Sequence, residues 1–188
     1  MKKSFKSILY FILSAIMVIA FTACSSPEEG IVSPPKEEII SGEFTLEKDF
    51  GVTVNGKWFP IHSDVSGLLN ELGDDYELAE WASCAFVGQD KSFEYSDYDI
   101  LTNPDGAKDI WYLISLHTDK LSTARGIKVG DSEEKVKEAY GDKFYWDDEL
   151  TLVYSISGQE GDSSSPNIQF TIEDGEVIQI DMDYPTGK

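Results

Sequence analysis

The sequence predicts an α+β fold made of two similar halves, each a short helix packed on an antiparallel β-sheet. Short runs of β-favouring residues end at turn signals such as Asn-Gly and Asp-Gly. Two segments carry apolar residues at helical spacing between a capping residue and a glycine. These elements occur in the same order twice, so the halves are assigned to residues 42–120 and 121–188.

The first half begins with FGVTVNGKWFPI, where Asn55-Gly56 separates two β-favouring runs and predicts a hairpin. The following HSDVSGLLNELGDD predicts a helix that Ser63 or Asp64 caps and Gly73 ends. Its apolar side is formed by Val65, Leu68, Leu69 and Leu72. Strands are predicted over residues 82–87, 92–102 and 109–117, with a turn at 103–106.

The second half begins with GIKVGDSEEKVKEAYGD, residues 126–142. A glycine and an aspartate beside a helix could form a ligand-cradling turn, but here each polar residue also fits a role in the helix. Asp131 is predicted as the N-cap, Glu134 completes a capping box, and Gly141 ends the helix. Strands are predicted over 149–157, 167–173 and 176–183, with a tight turn at Asp174-Gly175.

The matching order of the two halves predicts an internal duplication. SDVSGLLNELGDDY and GDSEEKVKEAYGDKF share a cap, a short apolar stripe and a Gly-Asp exit. The alternative is that two short capped helices are alike only because helix caps are common.

The N-terminus predicts export and lipid anchoring. MKKSFKS is basic and precedes fourteen uncharged residues, as in a signal peptide, which is assigned to residues 1–23. FTAC resembles the lipobox of bacterial lipoproteins, with Phe21 where leucine is usual, and this resemblance implies acylation of Cys24. The alternative is an ordinary signal peptide that leaves Cys24 as a spare thiol. Acyl chains would hold the protein on the extracytoplasmic face of the cell membrane, and residues 24–41 have the composition of a flexible tether.

Charge and chemistry exclude several function classes. The formal net charge of −20 disfavours nucleic acid as a partner. Cys84 lies in the apolar run WASCAFVG and is predicted to be a buried small hydrophobe without a disulfide partner. No serine-hydrolase elbow or zinc motif occurs, so no catalytic residue, metal ligand or cofactor is predicted, and the protein is not expected to be an enzyme. Three acidic clusters keep a calcium site open as an alternative, although none matches an EF-hand loop: residues 147–149, Asp97 with Asp99, and Asp181 with Asp183.

The strand DIWYLISLH carries the predicted binding residues. Alternation assigns Ile110, Tyr112, Ile114 and Leu116 to the core, and Trp111, Leu113, Ser115 and His117 to an open face. Trp111, Leu113 and His117 are therefore the candidates for contact with an unknown protein partner. A binder of small solutes or cell-wall fragments is the alternative function. It is also open whether a loop or the other half covers the aromatic side chains of this face.

A wider resemblance rests on SCAFVGQDKSFEYSDYDILT and the GIKVGDSEEKVKEAYGD segment. The chain resembles small lipoproteins of clostridia and related bacteria. Their folded part is similar to the tandem repeats of β-lactamase inhibitor protein and of small outer-membrane-assembly lipoproteins. The resemblance implies two tandem α+β repeats over roughly residues 45–184 and no catalytic residues. The cysteine pairs of the inhibitor are absent from this chain, so the resemblance gives no basis for predicting β-lactamase inhibition.

Overall fold

The computed structural model describes residues 42–186. The signal peptide, Cys24 and the tether predicted over 24–41 lie outside the described residues. Within 42–186 there are three helices, α1 (Leu46–Asp49), α2 (Ser66–Leu72) and α3 (Glu133–Tyr140). The strands are β1 (Gly51–Val54), β2 (Lys57–Pro60), β3 (Glu77–Ala82), β4 (Gln89–Glu94), β5 (Tyr98–Asp105), β6 (Lys108–Leu116), β7 (Tyr145–Trp146), β8 (Thr151–Ser155), β9 (Asn167–Glu173) and β10 (Glu176–Asp183).

Eight of these strands form one antiparallel sheet in the order β3-β4-β5-β6-β10-β9-β8-β7. Strands β1 and β2 pair separately as a hairpin. The combination of short helices with antiparallel sheet confirms the predicted α+β class. The two outermost strands of the large sheet are β3 and β7.

The tight turns follow the sequence signals. Asn55 and Gly56 adopt φ values of 52° and 76°, and Asp174 and Gly175 adopt 51° and 83°. Positive φ at both central residues matches the right-handed twist of the strands on either side. The predictions of the β1–β2 and β9–β10 hairpins are therefore confirmed.

The helices and the small hairpin pack on one face of the large sheet. Leu68 of α2 and Val136 of α3 are buried in the same cluster as Ile100, Ile114 and Phe170 of the sheet. Burial of this apolar surface is the main contribution to the stability of such a fold.

A buried ion pair ties α1 to α3. The Arg125 guanidinium donates to the Asp49 carboxylate at 2.5 Å and to the Ala139 carbonyl at 2.8 Å. It also lies over the ring of Tyr140, at 5.0 Å from the centroid. Both charged side chains are almost fully buried, so each depends on the other for compensation.

The helix starts differ from the prediction by one or more residues. Ser132, not Asp131, is the N-cap of α3, and its side chain accepts a hydrogen bond from the Lys135 amide. The Asp131 carboxylate instead accepts from the Lys128 amide at 2.8 Å and pairs with the Lys135 ammonium at 2.7 Å. Helix α2 begins after Val65 without a side-chain cap. Gly141 and Gly73 end α3 and α2 as predicted.

Two strand predictions in the first half are wrong. The run at 92–102 is divided between β4 and β5 by a tight turn, with the Tyr95 amide donating to the Tyr98 carbonyl at 3.0 Å. The run at 82–87 is mostly the loop between β3 and β4. Cys84 lies in that loop and is exposed, which corrects its predicted burial. The apolar composition of this run favours a strand, but these residues connect two strands and most of them face solvent.

Candidate binding surface

We call the face of the large sheet that lies opposite the helices the open face. Two rows of side chains cross it. The strand register places the residues of each row directly opposite one another. Row one contains Glu77, Glu94, Asp99, Ser115, Asp181, Gln169, Val153 and Tyr145. Row two contains Ala79, Ser92, Leu101, Leu113, Asp183, Asn167 and Ser155. Neither row contains lysine or arginine.

Trp111 does not lie on the open face, and the prediction that it does is wrong. Its side chain is 0% exposed, and its indole nitrogen donates to the Ser63 hydroxyl at 3.1 Å. The cause is a bulge: Leu101 pairs with Leu113 whereas Thr102 pairs with Trp111, so Tyr112 is an extra residue on β6. The bulge reverses the alternation and turns Trp111 to the same side as Ile114.

The other two candidate binding residues lie on the open face. Leu113 is half-buried beside Leu101 on the neighbouring strand. His117 follows Ser115 on the same face and is exposed, with its Nε2 atom 2.9 Å from the Asp99 carboxylate. Their role in binding stays a prediction. The prediction that Tyr112 belongs to the core is wrong, because it is the extra residue of the bulge and is only partly buried. This burial raises the pKa of its phenol, and the charges of Asp90 and Asp183 raise it further.

Asp181 and Asp183 are the acidic centre of the open face. The Asp181 carboxylate accepts hydrogen bonds from the Ser115 hydroxyl and from the Gln179 amide, the latter at 2.8 Å. Asp183 is half-buried, and this burial, with repulsion from Asp181, raises the pKa of its carboxyl to about 6. Asp183 is therefore an acid for which a cationic neighbour from another molecule would be favourable.

One end of the open face is covered by the chain itself. The loop between β8 and β9 is closed by hydrogen bonds from the Ile156 amide to the Pro166 carbonyl and from the Ser157 amide to the Ser165 hydroxyl, both 2.9 Å. Val153 and Ser155 are consequently buried although they belong to the open face. A crevice of about 130 Å³ remains between this loop and the sheet, and Asp183 lines it. The alternative that a loop covers this face thus holds for the β8 end only.

A half-open cleft lies where β5 and β6 meet the C-terminal segment. It has a volume of about 480 Å³. Its lining consists of His62, Phe86, Asn103, Pro104, Asp105, Ile110, Tyr184, Pro185 and Thr186. The His62 and Tyr184 rings are stacked at 4.3 Å with an interplanar angle of 9°. The volume and the apolar lining are within the range of small-molecule sites.

The described residues do not assemble a recognisable reactive centre. Within 42–186, no group of three or more His, Cys, Asp or Glu side chains could hold a metal ion. Cys84 is exposed on a loop, and His117 forms its contact with Asp99 on the open face.

The sequence pattern places Asp181 and Asp183 on the polar side of β10 and offers them as one of the acidic clusters for calcium, but not as part of a protein-binding surface. Their importance follows from the neighbouring strands, since β6 brings Ser115 and Leu113 opposite them. Alternation along β10 indicates which of its residues share the polar face. It does not indicate which strand pairs with β10.

No protein-family model, curated protein or solved structure matches this chain. None of the helices within residues 42–186 is long and apolar enough to cross a membrane.

Proposed function

We propose that this protein is an exported, lipid-anchored interaction protein without enzymatic activity, which presents its open face to a protein partner that carries a basic patch. Acyl chains on Cys24 would provide the membrane contact on the extracytoplasmic side, and residues 24–41 would hold the domain above the membrane surface. The resemblance to small lipoproteins supports the same location and stays a prediction.

The observation that carries the proposal is the run of acidic side chains in row one, which contains no lysine or arginine. Glu77, Glu94 and Asp99 are directly opposite one another on three adjacent strands. Adjacent strands are about 4.8 Å apart, and like charges placed directly opposite destabilise a sheet. Asp181 continues the row beyond Ser115. A partner with lysine or arginine side chains would remove this repulsion, which favours binding of a basic surface.

We also propose that the two halves arose by duplication. Strands β3 to β6 and β7 to β10 each follow a short helix, α2 and α3 respectively. The sheet order places the last strands of the two sets, β6 and β10, next to each other. This arrangement supports a pseudo-two-fold relation between the halves, as the resemblance to tandem-repeat proteins implies.

Cross-linking in intact cells, followed by mass spectrometry, tests the function. The open-face variant Asp99→Lys/Asp181→Lys should lose the cross-linked partner. The control Glu134→Lys/Glu138→Lys makes the same change in net charge at two exposed positions of α3 and should keep it. If both variants capture the partner as well as the natural chain does, the open face is not the binding surface.

The cleft supports a second candidate, a binder of small solutes or cell-wall fragments. Its stacked His62 and Tyr184 rings and its Asp105 carboxylate could contact a ring-shaped polar ligand. Titration of soluble wall fragments should then shift the amide resonances of these residues. Tyr184→Ala should abolish the shifts while the open-face variant keeps them, and an absence of shifts in the natural chain would exclude this candidate.

A further inference from the structure

The edge strand β3 is unusually unprotected. It is paired on one side only, with β4, through six consecutive residue pairs without a bulge. Five of its six residues are exposed. Natural sheets protect such edges with charged side chains, above all lysine, and with proline, bulges or short strands, and of these β3 has only its two glutamates. The charged residues of β3 are Glu77 and Glu80. The Glu80 carboxylate lies 3.7 Å from the Lys91 ammonium of β4, but Lys91 is closer to Asp109, at 2.9 Å, and therefore compensates Glu80 only in part.

The free backbone groups of this edge can be assigned. The Ser83 amide donates to the Gly88 carbonyl at 3.1 Å, so this pair is hydrogen-bonded across the β3–β4 hairpin. Hydrogen-bonded pairs alternate along an antiparallel ladder. The residues of β3 that direct their amide and carbonyl groups away from β4 are therefore Leu78, Glu80 and Ala82. The turn after β4 agrees, since the Tyr95–Tyr98 bond directs alternate β4 residues towards β5.

Exposed apolar side chains are concentrated along this edge. Leu78 is 49% exposed and Trp81 is 42% exposed. Phe86 and Val87 extend the apolar surface into the next loop, where Val87 is fully exposed. An exposed aromatic residue of this kind contributes much of the binding energy at protein interfaces.

The opposite edge of the same sheet is different. Strand β7 has only two residues, Tyr145 and Trp146, and three acidic residues follow it. The first of these turns back, because the Asp147 amide donates to the Thr151 carbonyl at 3.0 Å. The β7 edge is thus too short to accept a further strand, whereas the β3 edge has three outward-facing residues in a regular strand.

We propose that the β3 edge accepts an extended segment of a partner protein as an additional strand, with cationic residues opposite Glu77 and Glu80 and apolar residues between them. Strand addition supplies backbone hydrogen bonds to Leu78, Glu80 and Ala82, and alternate side chains supply specificity. Glu77 and Glu80 are three positions apart, so the cations of the partner strand are three positions apart as well. A second copy of this chain does not fit, because each copy carries a net charge of −20 and the same acids.

The test uses a blocked octapeptide of valine and threonine with lysine at its third and sixth positions. It is titrated into the isotope-labelled full chain in mild detergent. Amide hydrogen exchange at Leu78, Glu80 and Ala82 should slow on binding. Ala82→Pro removes one outward amide without removing a β3–β4 hydrogen bond, and should weaken binding about three- to tenfold. Ala82→Ser, which keeps the amide, is the matched control and should bind like the natural chain.

Two peptides separate pairing at the edge from nonspecific attraction without any change to the protein. Each peptide is methylated at every second backbone nitrogen, one peptide along one edge of its extended chain and the other peptide along the opposite edge. Only the peptide with free amides towards β3 should bind, because N-methylation removes the donors. Equal binding of the two peptides, or no saturable binding of the parent peptide, overturns the proposal. A dimer of the natural chain that Ala82→Pro dissociates would make a second copy the occupant and would also overturn it. This surface does not depend on the open-face proposal, and either can fail alone.

Discussion

Replacing Asp183 by asparagine should stabilise the protein at neutral pH. The pKa of this carboxyl is raised from 3.8 to about 6 by burial and by repulsion from Asp181. One pKa unit corresponds to about 1.4 kcal/mol, so an unscreened shift of this size would be worth about 3 kcal/mol. Because the side chain is only half-buried, solvent screening reduces the expected gain to about 1–2 kcal/mol.

The sign of the effect fixes its pH dependence. The folded state holds the Asp183 proton up to about pH 6, whereas the unfolded chain releases it near pH 4. Between these values the folded state binds more protons, so the natural chain loses stability as the pH rises. Asparagine cannot ionise, so the advantage of Asp183→Asn should be small near pH 4 and complete above pH 7.

Urea denaturation at several pH values between 4 and 8 measures this difference. Asp174→Asn is the control, because it removes the same charge from an exposed turn and asparagine tolerates the positive φ there. Its stability should change by no more than about 0.5 kcal/mol. The reasoning would be refuted if Asp183→Asn did not raise the free energy of unfolding at pH 8, or raised it equally at pH 4 and pH 8.

Four further predictions concern the fold and the anchor. Arg125→Met should cost about 3–5 kcal/mol of unfolding free energy, since it leaves a buried carboxylate uncompensated, whereas the exposed-pair control Lys135→Met should cost about 1 kcal/mol or less. Ser132→Ala should cost about 0.5–2 kcal/mol in urea denaturation because the α3 cap is lost, and an unchanged midpoint would contradict that assignment. In a variant that keeps only Trp111, tryptophan emission should be blue-shifted and resistant to acrylamide, and ready quenching would mean that the side chain is exposed after all. Cys24→Ala should move the protein from the membrane fraction to the soluble fraction, and an unmodified N-terminus in mass spectrometry of the natural chain would exclude the lipid anchor.

The parts of the fold that could be predicted depend on local chemistry. Strands β9 and β10 have the predicted bounds because Asp174-Gly175 fixes the turn and regular alternation runs into it from both sides. The end of α3 at Gly141 was predictable for the same reason, since glycine there adopts a positive φ. These features require no knowledge of the neighbouring strands.

The errors come from features that only the partner strand reveals. The side of Trp111 depends on a bulge opposite Leu101 and Thr102, and nothing within the β6 sequence marks the extra residue. A second bulge lies between Val177 and Gln179 and exposes Ile178, whereas a regular alternation along β10 would place Ile178 on the core face with Ile180 and Met182. At α3, Asp131 and Ser132 both suit an N-cap. The Asp131 carboxylate accepts instead from the backbone amide of residue 128 and from the Lys135 ammonium, so Ser132 is left to cap the helix.

The two proposed surfaces meet at Glu77, which belongs both to row one of the open face and to the β3 edge. A variant at Glu77 would therefore weaken either mode of binding and could not distinguish them. Variants at Asp181 and Ala82 can distinguish the two modes of binding. Strands β4, β5 and β6 lie between the strands of these residues, which gives a separation of about 19 Å at the usual strand spacing. A partner that is sensitive to Asp181→Lys and insensitive to Ala82→Pro binds the open face, and the reverse pattern indicates strand addition. Sensitivity to both would mean that one basic partner adds a strand at β3 and continues across row one, since an added strand extends that row beyond Glu77.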